Sequence, residues 1–162
     1  MKLDKIDKKI INLLAIDGRM SCADIAREVG YISERSIRYR MERLVKEKII
    51  QISAIPNPQS LGFTVVADVF IEVEPSMVIE IAHKIADFDR VTYVACSTGQ
   101  NDISIQIVAK SNPELYSFVT EVIARINGVR KTSTSIVPMI IKNPQRWELP
   151  ASLFEEEIPA NT

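Results

Sequence analysis

The residues of this chain best equipped to act on a partner are cationic. Between Glu34 and Lys48 stand six lysines and arginines against three acids, with Tyr39 among them. That mixture suits a polyanion, because guanidinium and ammonium groups neutralise phosphates while an aromatic side chain adds packing surface. The apolar stripe Ile37, Met41 and Leu44 is expected to leave Ser36, Tyr39, Arg40 and Arg43 on the opposite face, with Arg35 at its edge. A basic helix face also occurs as a plain solvated surface, so the neighbouring elements must decide between the two. Other chemistry has little to work with. Cys22 and Cys96 lie 74 positions apart and His83 is the lone histidine. No CxxC zinc site can be built from them, and no Cys-His-Asn set accompanies either thiol. Neither GxxxxGKS/T nor GxGxxG occurs. Both cysteines are expected as packed thiols and His83 on the outer side or edge of a helix. No metal, cofactor or catalytic residue is expected.

The elements that must carry the basic residues are three short helices. Leu3, Ile6, Ile10, Leu13 and Leu14 recur at helical spacing behind Asp4, an N-cap candidate, and Gly18 is expected to end that helix in a left-handed conformation. Ser21 followed by Asp24 resembles a capping box and opens a second helix that buries Ile25, Ala26 and Val29 and ends at Gly30. Ser33 caps the third, which holds the basic face. The four residues 30–33 between the last two match the tight glycine-containing turn of a helix-turn-helix.

Length and charge agree with a division of labour. The 162 residues suffice for one ordinary domain or two small ones, which excludes a large multidomain enzyme. Residues 1–53 carry 12 lysines and arginines against 8 acids, leaving 8 against 13 of the totals of 20 and 21 for the remainder. Only the front half is therefore suited to approach a polyanion. No signal peptide or membrane span is expected, and the sparse cysteines suit the cytoplasm.

Residues 49–63 hold two prolines and a glycine and read as a hinge, with a short strand across Ile50, Ile52 and Ile55. Beyond Gly62 the period becomes two. Val65 to Val73 reads as a strand, Ser76 caps a helix burying Val78, Ile81, Ala82 and Ile85, and Val91 to Ser97 is a second strand. After the turn Thr98 to Asn101, a third strand runs from Asp102 to Ala109. Asn112-Pro113-Glu114 then starts a helix burying Leu115, Phe118, Val119, Val122 and Ile126, and Thr132 to Ile141 makes a fourth strand. The order βαββαβ is ferredoxin-like, so the fold class is α+β: a winged-helix-like helix-turn-helix domain over 1–48, the hinge over 49–63 and a ferredoxin-like sandwich domain over 64–142. The sheet face away from the helices mixes Val66, Phe70 and Val108 with Asp68, Ser104 and Gln106, from which a face-to-face homodimer is expected. The acidic, proline-bearing tail 143–162 carries Trp147, Leu149 and Phe154, and either docks on a neighbour or stays without fixed structure.

Taken together, Leu3-Asp4 with Asp7, Gly18-Arg19, Ile25-Ala26 with Gly30, and the run from Ser33 through Ile37, Arg40 and Arg43 to Leu44 closely resemble the helix-turn-helix of the Lrp/AsnC (feast/famine) transcription regulators. Thr98-Gly99 with Asp102 and the stretch from Thr132 to Val137 are similar to the same family's regulatory domain, and the resemblance spans roughly residues 3–142. It implies a cytoplasmic regulator of double-stranded DNA, built from dimers that associate into octamers or similar rings, with a small effector, usually an amino acid, held between dimers. On that model Arg35, Ser36, Tyr39 and Arg40 reach base edges, while Arg38, Arg43 and Lys46 serve phosphates. The effector region would comprise Tyr93, Thr98, Gly99, Gln100, Asn101 and Asp102 with Thr132, Ser133, Thr134 and Ser135. A glycine-bearing turn can offer backbone N–H groups to a carboxylate and Asp102 can accept from an ammonium, although the same residues also suit a plain structural turn. Where the family has a glycine after the third helix this chain has Lys48, which requires a non-glycine left-handed residue or a different exit. An architectural protein that compacts DNA without sequence choice is the alternative. RNA binding is disfavoured because the third strand lacks stacking aromatics.

Overall fold

Asp4 starts the first helix, α1 (Lys5–Ile16), through a reciprocal capping box. Its carboxylate accepts from the Asp7 backbone N–H at 2.8 Å, and the Asp7 carboxylate accepts from the Asp4 backbone N–H at 3.2 Å. Orphan donors are satisfied and two carboxylates sit where the helix dipole favours negative charge. In the computed structural model, which describes residues 3–142 together with 147, 149 and 150, the chain forms two units, Met1–Ile55 with Ile141–Thr162 and Pro56–Ile140. Most of the tail considered above lies outside the described residues.

In the first unit Ser21 caps α2 (Cys22–Val29) and Ser33 caps α3 (Glu34–Lys46), each accepting from the backbone N–H three residues on. Ile10, Ile25, Ile37 and Leu44 form the fully buried centre, and the Cys22 thiol packs 3.7 Å from Met41 Sδ. Two details differ from expectation. α1 ends on Asp17 in extended geometry and Gly18 is not left-handed, because the Asp17 carboxylate takes the Arg19 N–H and closes the turn itself. The strand across Ile50, Ile52 and Ile55 does not form, since Pro56 and Pro58 lack donors and this unit has no strand among its described residues to pair with. The helix-turn-helix thus stands without a wing among the described residues.

α3 leaves by a Schellman motif. The Ile49 N–H donates to the Leu44 carbonyl at 2.9 Å and the Lys48 N–H to the Val45 carbonyl at 3.0 Å, with Lys48 left-handed at φ 57. Of the two exits open to a chain without glycine here, it takes the left-handed one.

The second unit is a four-stranded sheet in the order β2-β3-β1-β4, antiparallel throughout: β1 (Val65–Val73), β2 (Val91–Cys96), β3 (Ile103–Ala109) and β4 (Val129–Ile136). Alternate residues Ala67, Val69, Ile71, Val73, Ile103, Ile105 and Ile107 are buried under α4 (Val78–Ala86) and α5 (Asn112–Ser117), giving the ferredoxin-like arrangement. β4 starts before Thr132 because Val129 already pairs with Val73, and its last rung is Val137 N–H to Val66, after which Pro138 offers no donor. The connection into β4 depends on Gly128. Its φ is 92°, and an added Cβ would stand 2.7 Å from Met77 Sδ.

The helix starts also differ. Ser76 caps nothing, because a 3₁₀ turn over Pro75–Met77 precedes α4, and α5 is capped by Ser111 rather than Asn112. α5 then passes into a π-helical turn, Phe118–Ile123, closed by the Ala124 N–H on the Val119 carbonyl at 2.8 Å. The wider turn brings Ile123 into the core in place of Val122.

Candidate nucleic-acid interface and ligand region

Asp7 is the buried charge on which the first unit turns. It is the one charged residue buried among those described, 1% exposed, and it receives Arg40 at 2.8 Å on one carboxylate oxygen and Arg43 at 2.7 Å on the other. Arg40 also reaches Asp4 at 2.7 Å. Burial opposes ionisation of Asp4, but the Asp7 backbone N–H and the Arg40 guanidinium outweigh it and hold the carboxyl below its ordinary value. The same two carboxylates that cap α1 therefore clamp α3 by its arginines. Nothing in the apolar periodicity announces this. The legible signal is Asp4 and Asp7 at a helix start together with Arg40 and Arg43 three apart on another helix.

The face that α3 presents differs from the one expected from sequence, and the clamp holds it in place. Arg40 and Arg43 are only 20% and 28% exposed and Ser36 is half-buried, whereas Arg35, Arg38, Tyr39, Glu42 and Lys46 are exposed. Arg35, expected at the edge, lies near the middle of the open face, where the helical period itself puts it. Arg38 is held along the helix by Glu34 at 2.6 Å, an i,i+4 pair that fixes its direction more than it stabilises the fold. Tyr39 is 66% exposed on the adjoining turn. Ahead of α3, the turn between the helices carries Tyr31 left-handed at φ 57 and fully exposed.

The ligand region named from sequence falls into two parts. Tyr93 pairs with Gln106, Gln106 with Asp68, and Asp68 with Ser135, so Tyr93 and Ser135 lie on opposite edge strands, about 14 Å apart at the usual strand spacing. Between β2 and β3 the loop is closed tightly. The Ser97 N–H donates to the Asp102 carbonyl at 2.9 Å, the Ser97 hydroxyl to the Asn101 carbonyl at 2.9 Å, and the Val73 N–H to the Asp102 carboxylate at 2.8 Å. Gly99 supplies φ 138 at the tip, and Thr98, Gly99 and Gln100 are exposed. Asp102 thus commits one oxygen to ending β1. On β4, Thr132 and Thr134 share a face with Ile71 and Val69, while Ser133 and Ser135 share the opposite face with Phe70 and Asp68. Within one chain these residues are thus divided between the two edges of the sheet and, on β4, between its two faces. The open sheet face also differs in part from expectation, as Phe70 is 36% exposed but Val108 is buried.

The remaining reactive groups gather into no site. Cys22 is packed as expected, Cys96 is exposed rather than packed because it closes an edge strand, and His83 lies on the outer side of α4. Among the described residues no group of acids, cysteines and histidine could hold a metal, and no helix is long and apolar enough to cross a membrane.

Comparison with known proteins meets this geometry at both units. Residues 3–45 match the AsnC-type helix-turn-helix domain and residues 66–147 the Lrp/AsnC ligand binding domain. An HTH-type transcriptional regulator of Pyrococcus horikoshii is 37% identical over 143 residues, 88% of this chain and 90% of its own length. The HTH-type transcriptional regulator FL11 of Pyrococcus furiosus is 34% identical over 91% of this chain and 96% of its own. Among solved structures, Escherichia coli AsnC superposes with a TM-score of 0.76 at 26% identity, covering 88% of this chain and 94% of that one. The regulator NMB0573 of Neisseria meningitidis, solved as a complex with L-Met, gives 0.83 at 23% over 91% and 96%. The folds agree over most of each chain. A basic α3 held by Asp7 in one unit and a ligand-binding sheet in the other are the two halves of one kind of molecule: the chain belongs to the Lrp/AsnC family of transcriptional regulators.

Proposed function

We propose that this regulator binds specific DNA sites as a homodimer or a ring of dimers, with α3 in the major groove, and that an amino acid bound between protomers alters its assembly. The observation that carries the DNA half is the fixed rotation of α3. With Arg40 and Arg43 held by Asp7, the groups free to face DNA are Arg35, Arg38, Tyr39 and Lys46, with Ser36 beside them. Arg35 and Tyr39 are assigned to base edges, Ser36 to an edge or phosphate, and Arg38 and Lys46 to phosphates. Arg40 and Arg43, expected from sequence to reach DNA, are assigned to holding the helix. A two-fold dimer reads a pseudo-palindrome with half-sites one helical turn or a multiple apart.

Support for the effector half is the separation of its two segments. The loop 98–102 with Tyr93 belongs to one sheet edge and Thr132 to Ser135 to the other, so a pocket using both draws them from different protomers, and occupancy then reports assembly. The complex of the Neisseria relative with L-Met makes an amino acid the ligand class to try first. Selection of bound sequences from random DNA tests specificity. Recovery of a palindromic motif is expected, whereas equal retention of random DNA would favour the compaction alternative. Melting the protein with each of the twenty amino acids tests the effector, since saturation at 100 Kd adds about 2.7 kcal/mol to the bound state. A flat response to all twenty would discard an amino acid.

A further inference from the structure

We infer that Tyr31 is a DNA contact, its phenol hydroxyl donating to a backbone phosphate at the wall of the groove, an inference that rests on the proposed placement of α3 in the major groove. Tyr31 stands in the turn between α2 and α3, two residues ahead of Ser33, which caps α3. Its backbone is left-handed at φ 57, directly after Gly30 at φ 71. For a bulky side chain that region is strained, whereas glycine occupies it freely. The fold gains nothing in return, since the tyrosine side chain is fully exposed and makes no hydrogen bond or ring contact among the described residues. A strained residue whose side chain is unused by its own unit points to a partner outside it.

The surroundings favour nucleic acid over protein. Next along the chain, Ile32 packs against the core of the unit, while Ser33, Glu34 and Arg35 are polar and exposed, so the ring is no part of an apolar patch. The Glu34 carboxylate is already engaged by Arg38. Arg35, assigned above to a base edge, lies four residues on, so its Cα stands no more than about 14 Å from that of Tyr31. The major groove is about 12 Å wide. With Arg35 over the bases, Tyr31 is therefore within reach of the phosphates that border them. A phenol suits that place. It donates one hydrogen bond to an anionic oxygen but carries no charge, so it fixes register without releasing a counterion.

Fluorescence anisotropy of the full-length protein tests this, with Tyr31→Phe and Tyr31→Gly measured on the selected site and on a scrambled duplex. Tyr31→Phe should weaken binding about threefold to tenfold on both duplexes, because a phosphate carries no sequence, and should leave Tm and salt slope unchanged. Tyr31→Gly should weaken it at least as much while raising Tm by a few degrees, since the strain leaves with the side chain. A merely structural residue would lose stability and affinity together. Nitration of the wild type by tetranitromethane gives a reading that needs no variant: DNA should slow modification of Tyr31 about threefold or more and leave Tyr116, 70% exposed on the sheet unit, unchanged. If the chain had no preferred site, an equal loss on both duplexes would still support the phosphate contact while the sequence-specific reading failed. Wild-type affinity of Tyr31→Phe on both duplexes would overturn the proposal and leave the reading of α3 intact, and so would nitration of Tyr31 at one rate with and without DNA. Protection of Tyr31 without DNA that vanishes on dilution would overturn it too, naming a second copy as the partner.

Discussion

The carboxylate of Asp7, buried in the first turn of α1, lies 2.7 Å from the guanidinium of Arg43 on α3, while its other oxygen receives Arg40. One side chain thereby sets both the start of the first helix and the rotation of the third. Asp7→Asn keeps the shape and removes the charge, leaving two largely buried cations without their common partner. Breaking a buried pair costs about 3–5 kcal/mol, and the partial exposure of both arginines reduces this to about 2–4 kcal/mol. For a unit with so small a core that is a large share of its stability. Chemical denaturation should show the loss in the first unit, and a change below 1 kcal/mol would mean that the arginines are held by packing alone.

Acid should act on the same cluster through Asp4. Its folded-state pKa is lowered, burial being outweighed by the Asp7 N–H and Arg40, so it contributes stability that is complete above the unfolded value of about 3.9 and is lost as pH falls through the lower folded value. Wild-type protein should therefore lose melting temperature more steeply than Asp4→Asn below about pH 4. Parallel curves for the two proteins would remove Asp4 from the account.

Much of this was legible in the sequence because the signals were local. The caps at Asp4, Ser21 and Ser33, the glycine-bearing turn and the change of period beyond Gly62 all act within a few residues, and the βαββαβ order follows from them. The misreadings have separate causes. The face of α3 was misassigned locally: at 100° per residue Arg40 stands about 40° from Leu44, beside the apolar stripe, and Arg35 within about 30° of the point opposite it, which is the exposure the structure gives them. Val122 yielded to Ile123 because a π turn adds a residue, a change that an average period cannot carry. The ligand segments were named through a family resemblance that places the pocket between dimers, and only the sheet order shows that β2 and β4 stand at opposite edges.

Lys48 offers a test in which stability should rise. A side chain in the left-handed region costs about 1–2 kcal/mol, of which glycine would recover all but its own backbone entropy of about 0.5–1 kcal/mol. Lys48→Gly keeps both Schellman hydrogen bonds and should stabilise the unit by about 0.5–1 kcal/mol, a gain of a few degrees in Tm. A fall in Tm would show that the lysine side chain contributes more than its strained backbone loses.

The assignment of arginines on α3 separates most sharply in DNA binding. Arg35 is exposed on the middle of the open face, so Arg35→Ala should cost about 1–3 kcal/mol on the selected site and relax preference at one base if it reads an edge, or reduce the salt slope by about 0.9 if it serves a phosphate. Arg40→Ala should behave otherwise. Its guanidinium spans Asp4 and Asp7, so its loss should lower Tm first and weaken DNA binding only as far as α3 loosens, without altering base preference or salt slope. Fluorescence anisotropy against the selected site and a scrambled one, over a series of salt concentrations and well below both melting temperatures, measures each quantity. If Arg40→Ala changed base preference while Arg35→Ala did not, the helix would meet DNA on the flank that carries Arg40, and Asp7 would have to release its arginines on binding.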